Sequence, residues 1–321
     1  MTRLRANLLL VATAIIWGTT FVVQQAWLGT LGPIAFTAAR FLLGALVILP
    51  LALRQLRSVS RTIRPLQWND WLLLLVTGCV LFTAALLQQV GILHTQVTNA
   101  GFLTALYVPL VPLIGLVLLQ HQVHWSTWPA ALASLGGTYL LSGTDALILG
   151  TGDLWVIASA LFWAIHVPLV AYLAVRTHAP LVVAAAQFLT CGLLGLLASL
   201  LFEGPTPADF ASAFHGILYA GILSVGIGFT LQVVGQRFTH PADAAIILSS
   251  ETLFAAMAGF LFLGERLLQQ QLIGAGLILA GTLGVQLVPL LFPPSPSPLS
   301  LSEPPRAIRA ASSASQNSCR K

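Results

Sequence analysis

The sequence predicts an all-α integral membrane protein with ten transmembrane helices arranged as two inverted five-helix repeats. Three observations predict it. Hydrophobic residues make up 57% of the 321 residues and charged residues only 7%, with a mean hydropathy of +0.90; a soluble domain is about 25% charged. Apolar runs of about 20 residues follow one another, each long enough to cross a hydrocarbon core roughly 30 Å thick. Short sequence matches also recur between the two halves at a nearly constant offset.

The ten expected spans are 7–27, 33–53, 69–91, 97–119, 126–143, 153–174, 180–202, 213–235, 241–263 and 270–290. Helices are expected because a spanning segment must satisfy its own backbone polar groups. The runs are rich in Leu and Ala without sustained period-2 alternation, which argues against a β-barrel. The first run begins like a signal peptide, but no small-x-small site precedes the next charge, so it reads as a retained first helix. After Pro289 the chain turns to Pro and Ser, and 293–321 is expected to be a disordered cytoplasmic tail.

Charge placement sets the orientation. Arg3 and Arg5 precede span 1, Arg54, Arg57, Arg61 and Arg64 fill the loop expected after span 2, Arg176 follows span 6 and Arg237 follows span 8. Arg306, Arg309, Arg320 and Lys321 lie in the tail. All fall on one side if both termini are cytoplasmic, and the other side has Arg266 as its one basic residue beside Asp145, Asp153, Glu203, Asp209 and Glu265. The net charge of +5 therefore reports topology, and no basic groove with stacking aromatics suggests nucleic acid. Cys79, Cys191 and Cys319 form no disulfide framework or metal spacing, and no cofactor is expected.

The repeat divides the chain at 1–144 and 145–292. "TQVTNAG" (95–101) aligns with "THPADAA" (239–245), and "GGTYLL" (136–141) with "AGTLGV" (280–285), both 144 residues apart. Pro33 and "RF" at 40–41 match Pro180 and "QF" at 187–188 at 147, and Trp17 matches Trp163 at 146. Five spans per half is an odd number, so the second half enters the membrane from the opposite side. Inverted repeats of this kind place a site near the midplane between the halves.

"AIIWGTTFVVQQ" (14–25), "FTAARFLLGAL" (36–46) and "FAAMAGFLFLGERLLQQQLIGAGLILAGTLGV" (254–285) resemble the EamA-type transporters of the drug/metabolite transporter superfamily. The resemblance runs over about 7–290. It implies a multi-pass protein of the bacterial inner membrane that exports small metabolites, amino acids or drugs. Two positions depart from the family pattern. Gln120 and His121 stand where the first half usually has the Gly-Glu pair that Gly264 and Glu265 keep, and Thr252 stands where span 9 often has a Pro after its acidic residue. The second departure puts a kink in span 9 in doubt.

Ionisable residues inside the bilayer are functional candidates by default, and three stand out: Glu251, Arg40 and His166. Glu251 suits a substrate amine or a coupling proton, and its structural alternative is pairing with Arg40 or with Ser249, Ser250 or backbone. Arg40 suits a substrate carboxylate, or else locks span 2 to a neighbour. His166 suits a proton relay, or else ordinary packing. Arg40 and Glu251 differ in depth by about 6 Å, so they pair if their helices are adjacent. Trp17 and Trp163 lie near mid-depth, away from the interfacial belt, and can wall a cavity. Gln88, Gln89 and Gln232 need partners that a wet path would supply. Tyr107 is the first-half counterpart of Glu251, and Asn99 and Asp243 are equivalent residues that read as helix N-caps. Glycines in "GAGLILAGTLG" (274–284) and "GILSVGIG" (221–228) suit close helix approach, and span 10 equally suits a face against a second copy.

The expected function is secondary transport of a small-molecule substrate by alternating access, with protons as an open choice of coupling partner. No G-x-x-x-x-G-K-[ST] loop is present for direct use of ATP. An intramembrane enzyme would need a nucleophile with its base or a metal set, and "HQVH" (121–124) lacks a third ligand. A non-transporting scaffold or sensor is the alternative, and polar residues at equivalent depths in both halves count against it.

Overall fold

The structure is a computed structural model that describes residues 1–27, 29–95, 97–118, 123–142, 150–263 and 268–292. The 293–321 tail, the Gly264/Glu265 and Gln120/His121 positions, Asp145 and Arg266 lie outside the described residues, as does the side chain of Asn99.

Among the described residues every regular element is helical. The chain runs through α1 (Arg3–Ala26), α2 (Pro33–Thr62), α3 (Trp68–Leu93), α4 (Val97–Thr104), α5 (Tyr107–Leu118) and α6 (Thr127–Ser142). It continues through α7 (Thr151–Thr177), α8 (Pro180–Phe202), α9 (Pro207–Ser212), α10 (Phe214–Leu218), a π-helical segment Tyr219–Phe229, α11 (Thr230–Gln236), α12 (Pro241–Leu248), α13 (Glu251–Leu263) and α14 (Gln269–Leu291). Seven helical stretches are long and apolar enough to cross a membrane: α1, α2, α3, α7, α8, the continuous 214–236 stretch and α14. The expected spans 97–119 and 241–263 are each two shorter helices, and span 126–143 is the 16-residue α6.

Two expectations change here. Arg54, Arg57 and Arg61 do not occupy a loop; α2 continues through them for 30 residues, because Arg is a strong helix former and its side chain points freely into water. Asp243 is not an N-cap: His240 takes that position without a side-chain bond, and Asp243 lies in the first turn of α12, paired with Arg3 at 2.7 Å.

The repeat is visible in the helix boundaries. α2 and α8 both open on Pro, at 33 and 180, where a missing N–H costs nothing. α4 and α12 start at 97 and 241, and α5 and α13 start at 107 and 251, so both broken spans break at the same place under the 144-residue offset. Packing follows the repeat as well. A methyl group built on Gly274 of α14 would sit 2.5 Å from the carbonyl oxygen of Gly137 in α6, and one on Gly281 would sit 2.7 Å from that of Ala130. Gly137 and Ala130 are the repeat equivalents of Gly281 and Gly274. Equivalent helices of the two halves therefore cross backbone to backbone, the close approach that small residues permit where lipid offers no hydrophobic driving force.

Polar clusters fix the ends. At the end carrying Arg3, the buried Asp70 carboxylate accepts from Arg64 (2.7 Å) and Arg176 (2.6 Å), joining α3 to α7. At the opposite end the Glu203 carboxylate accepts from the backbone N–H groups of Ile34 (2.9 Å) and Ala35 (2.7 Å), capping α2 from the end of α8. Asp209, in the short α9, accepts from the Thr30 and Thr206 hydroxyls and the Thr206 N–H, which hold its carboxyl down at about 2.

The crossing of α6 and α14 generates a test. Gly274→Leu should lower stability in detergent by about 1–3 kcal/mol through overpacking, whereas Gly276→Leu, at an exposed position where an added Cβ meets nothing within 4 Å, should leave it unchanged. Denaturation of the purified variants checks this, and equal losses would contradict the backbone contact.

Candidate functional site: a central cavity at the helix breaks

Helices break where backbone bonds are given up, and in a membrane those groups need new partners. Between α12 and α13 the break falls at Ser249–Ser250. Hydroxyls supply the replacements: Ser249 donates to the Ile246 carbonyl (2.8 Å), Ser250 to Ile247 (2.6 Å) and Thr252 to Ser249 (2.9 Å). Span 9 thus breaks without a proline, which answers the doubt raised by Thr252. The break places Glu251 at the first turn of α13, where the helix dipole favours a negative charge. Gly18 of α1 faces it, and a side chain there would meet the Glu251 carbonyl oxygen at 2.6 Å.

In the first half the break falls at Ala105–Leu106, and Tyr107 opens α5 as Glu251 opens α13. Both side chains face one cavity of about 50 Å³. Arg40, Trp17, Trp163 and Gln232 line it too. The cavity reaches Gln24, in the last turn of α1, and toward the Arg3 end it stops at Leu248.

Its wall is aromatic. The Phe229 ring lies 4.4 Å from Trp17 and 6.0 Å from Trp163, centroid to centroid, with Phe41 (5.6 Å) and Phe188 (6.0 Å) behind it. Trp17 is oriented by its Nε1–H, which donates to the Ser224 carbonyl in the π-helical segment (3.3 Å). That segment is tied to α1 again by Thr13, which donates to the Gly228 carbonyl (3.1 Å), and by the Thr19–Tyr219 hydroxyl pair (2.6 Å). A π-helix bonds i→i+5 in a wider turn than the α-helix, and such segments are frequent at functional sites.

The two ionisable side chains in the cavity are buried but not paired. Arg40 is 3% exposed and Glu251 6%. The ion pairs among the described residues are Arg3–Asp243, Arg64–Asp70 and Arg176–Asp70, and neither Arg40 nor Glu251 takes part. The Arg40 guanidinium instead lies 5.2 Å from the Phe41 ring and 5.9 Å from the Phe36 ring, with its Nε unpartnered among the described residues. Gln88 lines the cavity and donates to Thr104 (3.0 Å), and the Oε1 of Gln232 and the Nε1 of Trp163 have no partner among the described residues.

Two candidates stand apart. His166 is fully buried behind Trp163, and its Nε2 meets Gln187 Oε1 at 2.7 Å. Gln89 is fully buried outside the cavity lining, with both amide atoms unpartnered among the described residues.

The model of the EamA-like transporter family matches this chain twice, over residues 4–143 and 150–287. The chain belongs to the EamA-like transporter family. An Archaeoglobus fulgidus protein named "Uncharacterized transporter" is 29% identical over 289 residues, 89% of this chain and 87% of its own. The Bacillus subtilis "Uncharacterized transporter YwfM" is 26% identical over 295 residues, 88% of this chain and 94% of its own. A solved crystal structure superposes with a TM-score of 0.75 over 91% of this chain and 100% of its own, at 22% identity, which speaks for the fold alone.

In this EamA-like chain several cavity residues escape sequence reasoning: Thr20, Phe21, Gln24, Thr104, Ser224 and, above all, Phe229. A Phe in an apolar run gives no signal. The equivalence of Trp17 and Trp163 was the available clue, since two facing tryptophans need something between them.

Phe229→Ala should therefore cost about 3 kcal/mol, because four rings lose their common neighbour and a void opens. Chemical denaturation of the purified protein measures it, and a loss under about 1 kcal/mol would contradict the central place given to that ring.

Proposed function

We propose that the chain is a secondary transporter that exports small amphiphiles, such as amino acids, related metabolites or drug-like compounds, from the bacterial cytoplasm. Ten crossings form two inverted halves, 1–144 and 145–292, with both termini cytoplasmic. The halves rock around the central cavity and expose it to one side at a time.

The observation that carries this reading is the unpaired state of Arg40 and Glu251 in one aromatic-walled cavity. A buried charge without a counter-charge is costly, so the arrangement favours a ligand that brings the complement. Arg40 is suited to a carboxylate and Glu251 to an amine or a proton. Trp17, Trp163, Phe229 and Tyr107 suit an apolar body between them. The uncharged amides of Gln88 and Gln232 supply orientation. The twofold family match supports two related halves, and the breaks at Tyr107 and Glu251 supply hinges at equivalent places. His166 and Gln89, outside the cavity, are assigned to packing between helices.

Efflux tests the reading. Cells expressing the protein should export a compound from a panel of amino acids and metabolites, and Glu251→Gln and Arg40→Gln should each reduce that export at least about tenfold at equal membrane abundance, the loss of one charged contact. Undiminished export by both variants would make the two charges structural. Substrate uptake in place of efflux would overturn the direction.

A further inference from the structure

A second cavity of about 90 Å³ lies at the Arg3 end of the molecule. Its lining sets polar side chains, Arg3, His124, Thr127, His240 and Asp243, among apolar ones, where the first is aromatic. The same two helices line both cavities. On α5, Tyr107 faces the first and Val111, Pro112 and Gly115 the second; on α12, Leu248 faces the first and Pro241, Ala242 and Asp243 the second. Four residues separate Tyr107 from Val111, about 6 Å along a helix. The layer between the cavities is therefore about one helical turn thick.

That layer is dry and lightly fastened. Val108, Ala244, Ala245, Ile246 and Ile247 in it are fully buried. The Tyr107 hydroxyl crosses it, donating to the Ala245 carbonyl of α12 at 3.2 Å. A second fastening lies below, where Asp243 of α12 holds Arg3 (2.7 Å) and accepts from Thr127 of α6 (3.4 Å). Both helices adjoin a break, α5 just after Ala105–Leu106 and α12 just before Ser249–Ser250. Each is a short helix with a break at one end.

We propose that the second cavity is a further station for the same small molecule, on one path with the first, and that the Tyr107–Ala245 layer is the gate between them. This rests on reading the first cavity as the substrate site. The station suits a polar or zwitterionic solute, held loosely because Arg3 and Asp243 already satisfy one another. Substrate passes between α5 and α12 when they part, and the Arg3–Asp243 pair re-forms behind it.

Cysteine labelling tests the path without any substrate. In a background carrying Cys79→Ala, Cys191→Ala and Cys319→Ser, single cysteines are placed by Gly115→Cys, Gln24→Cys and Leu248→Cys. Gly115 suits this because a Cβ added there meets nothing within 4 Å. A charged, membrane-impermeant maleimide is added to right-side-out and inside-out vesicles. Gly115→Cys and Gln24→Cys should label from opposite faces, and Leu248→Cys from the Gln24 face. Adding Tyr107→Phe should speed labelling of Leu248→Cys from the Gly115 face about fivefold, the weight of one buried hydrogen bond. Asp243→Asn should act in the same direction through the second fastening. Labelling of Gly115→Cys from the Gln24 face or from neither face would overturn the proposal. So would a rate at Leu248→Cys that neither variant changes while Gly115→Cys still labels normally. Because no transport is measured, the path can fail while efflux stands, and efflux can fail while the labelling pattern holds.

Discussion

A guanidinium and a carboxylate share one cavity inside an apolar bundle and do not touch. The rest of the structure depends on keeping them there and apart. Joined, the two groups would satisfy one another. Burying either in its charged form without a partner is costly, so their separation has to be imposed by the packing around them. That placement has identifiable sources. Glu203 caps the start of α2 and so fixes where Arg40 stands, and the hydroxyls of Ser249, Ser250 and Thr252 hold the break that presents Glu251.

Glycine and alanine make the cavity walls meet. Gly18 lets α1 lie against the Glu251 backbone, and Gly137, Gly274 and Gly281 let equivalent helices of the two halves cross closely. The aromatic cluster around Phe229 then fills the space between α1, α2, α7 and α8 from one side. The two broken spans face each other across the cavity floor, with Tyr107 bonded to α12. Two broken helices thus meet at the floor of a closely packed frame.

Much of this was legible in the sequence, for physical reasons. Hydropathy marked the spans because lipid leaves no other place for 20 apolar residues, and Pro33 and Pro180 marked two helix starts to the residue. Glu251, Arg40, Tyr107, Trp17, Trp163 and Gln232 were conspicuous because polar and large aromatic groups at mid-depth need a reason, and the cavity gathers all six. His166 and Gln89 were equally conspicuous, yet they lie outside it: periodicity does not tell which side of a buried helix faces a cavity. The break in span 9 was obscured because serine and threonine hydroxyls do locally what proline does by lacking an N–H. The pairing of Asp243 with Arg3, 240 residues away in sequence, carries no local pattern at all.

The separation of Arg40 and Glu251 is the central claim, and a double-mutant cycle on binding tests it most directly. A radiolabelled compound that the transport assay identifies as substrate is titrated by equilibrium dialysis against the purified wild type, Arg40→Gln, Glu251→Gln and the double variant. If each charge holds its own part of the ligand, the two free-energy losses add to within about 0.5 kcal/mol. If the double variant binds better than either single variant, the two residues serve each other rather than the ligand, and the account fails.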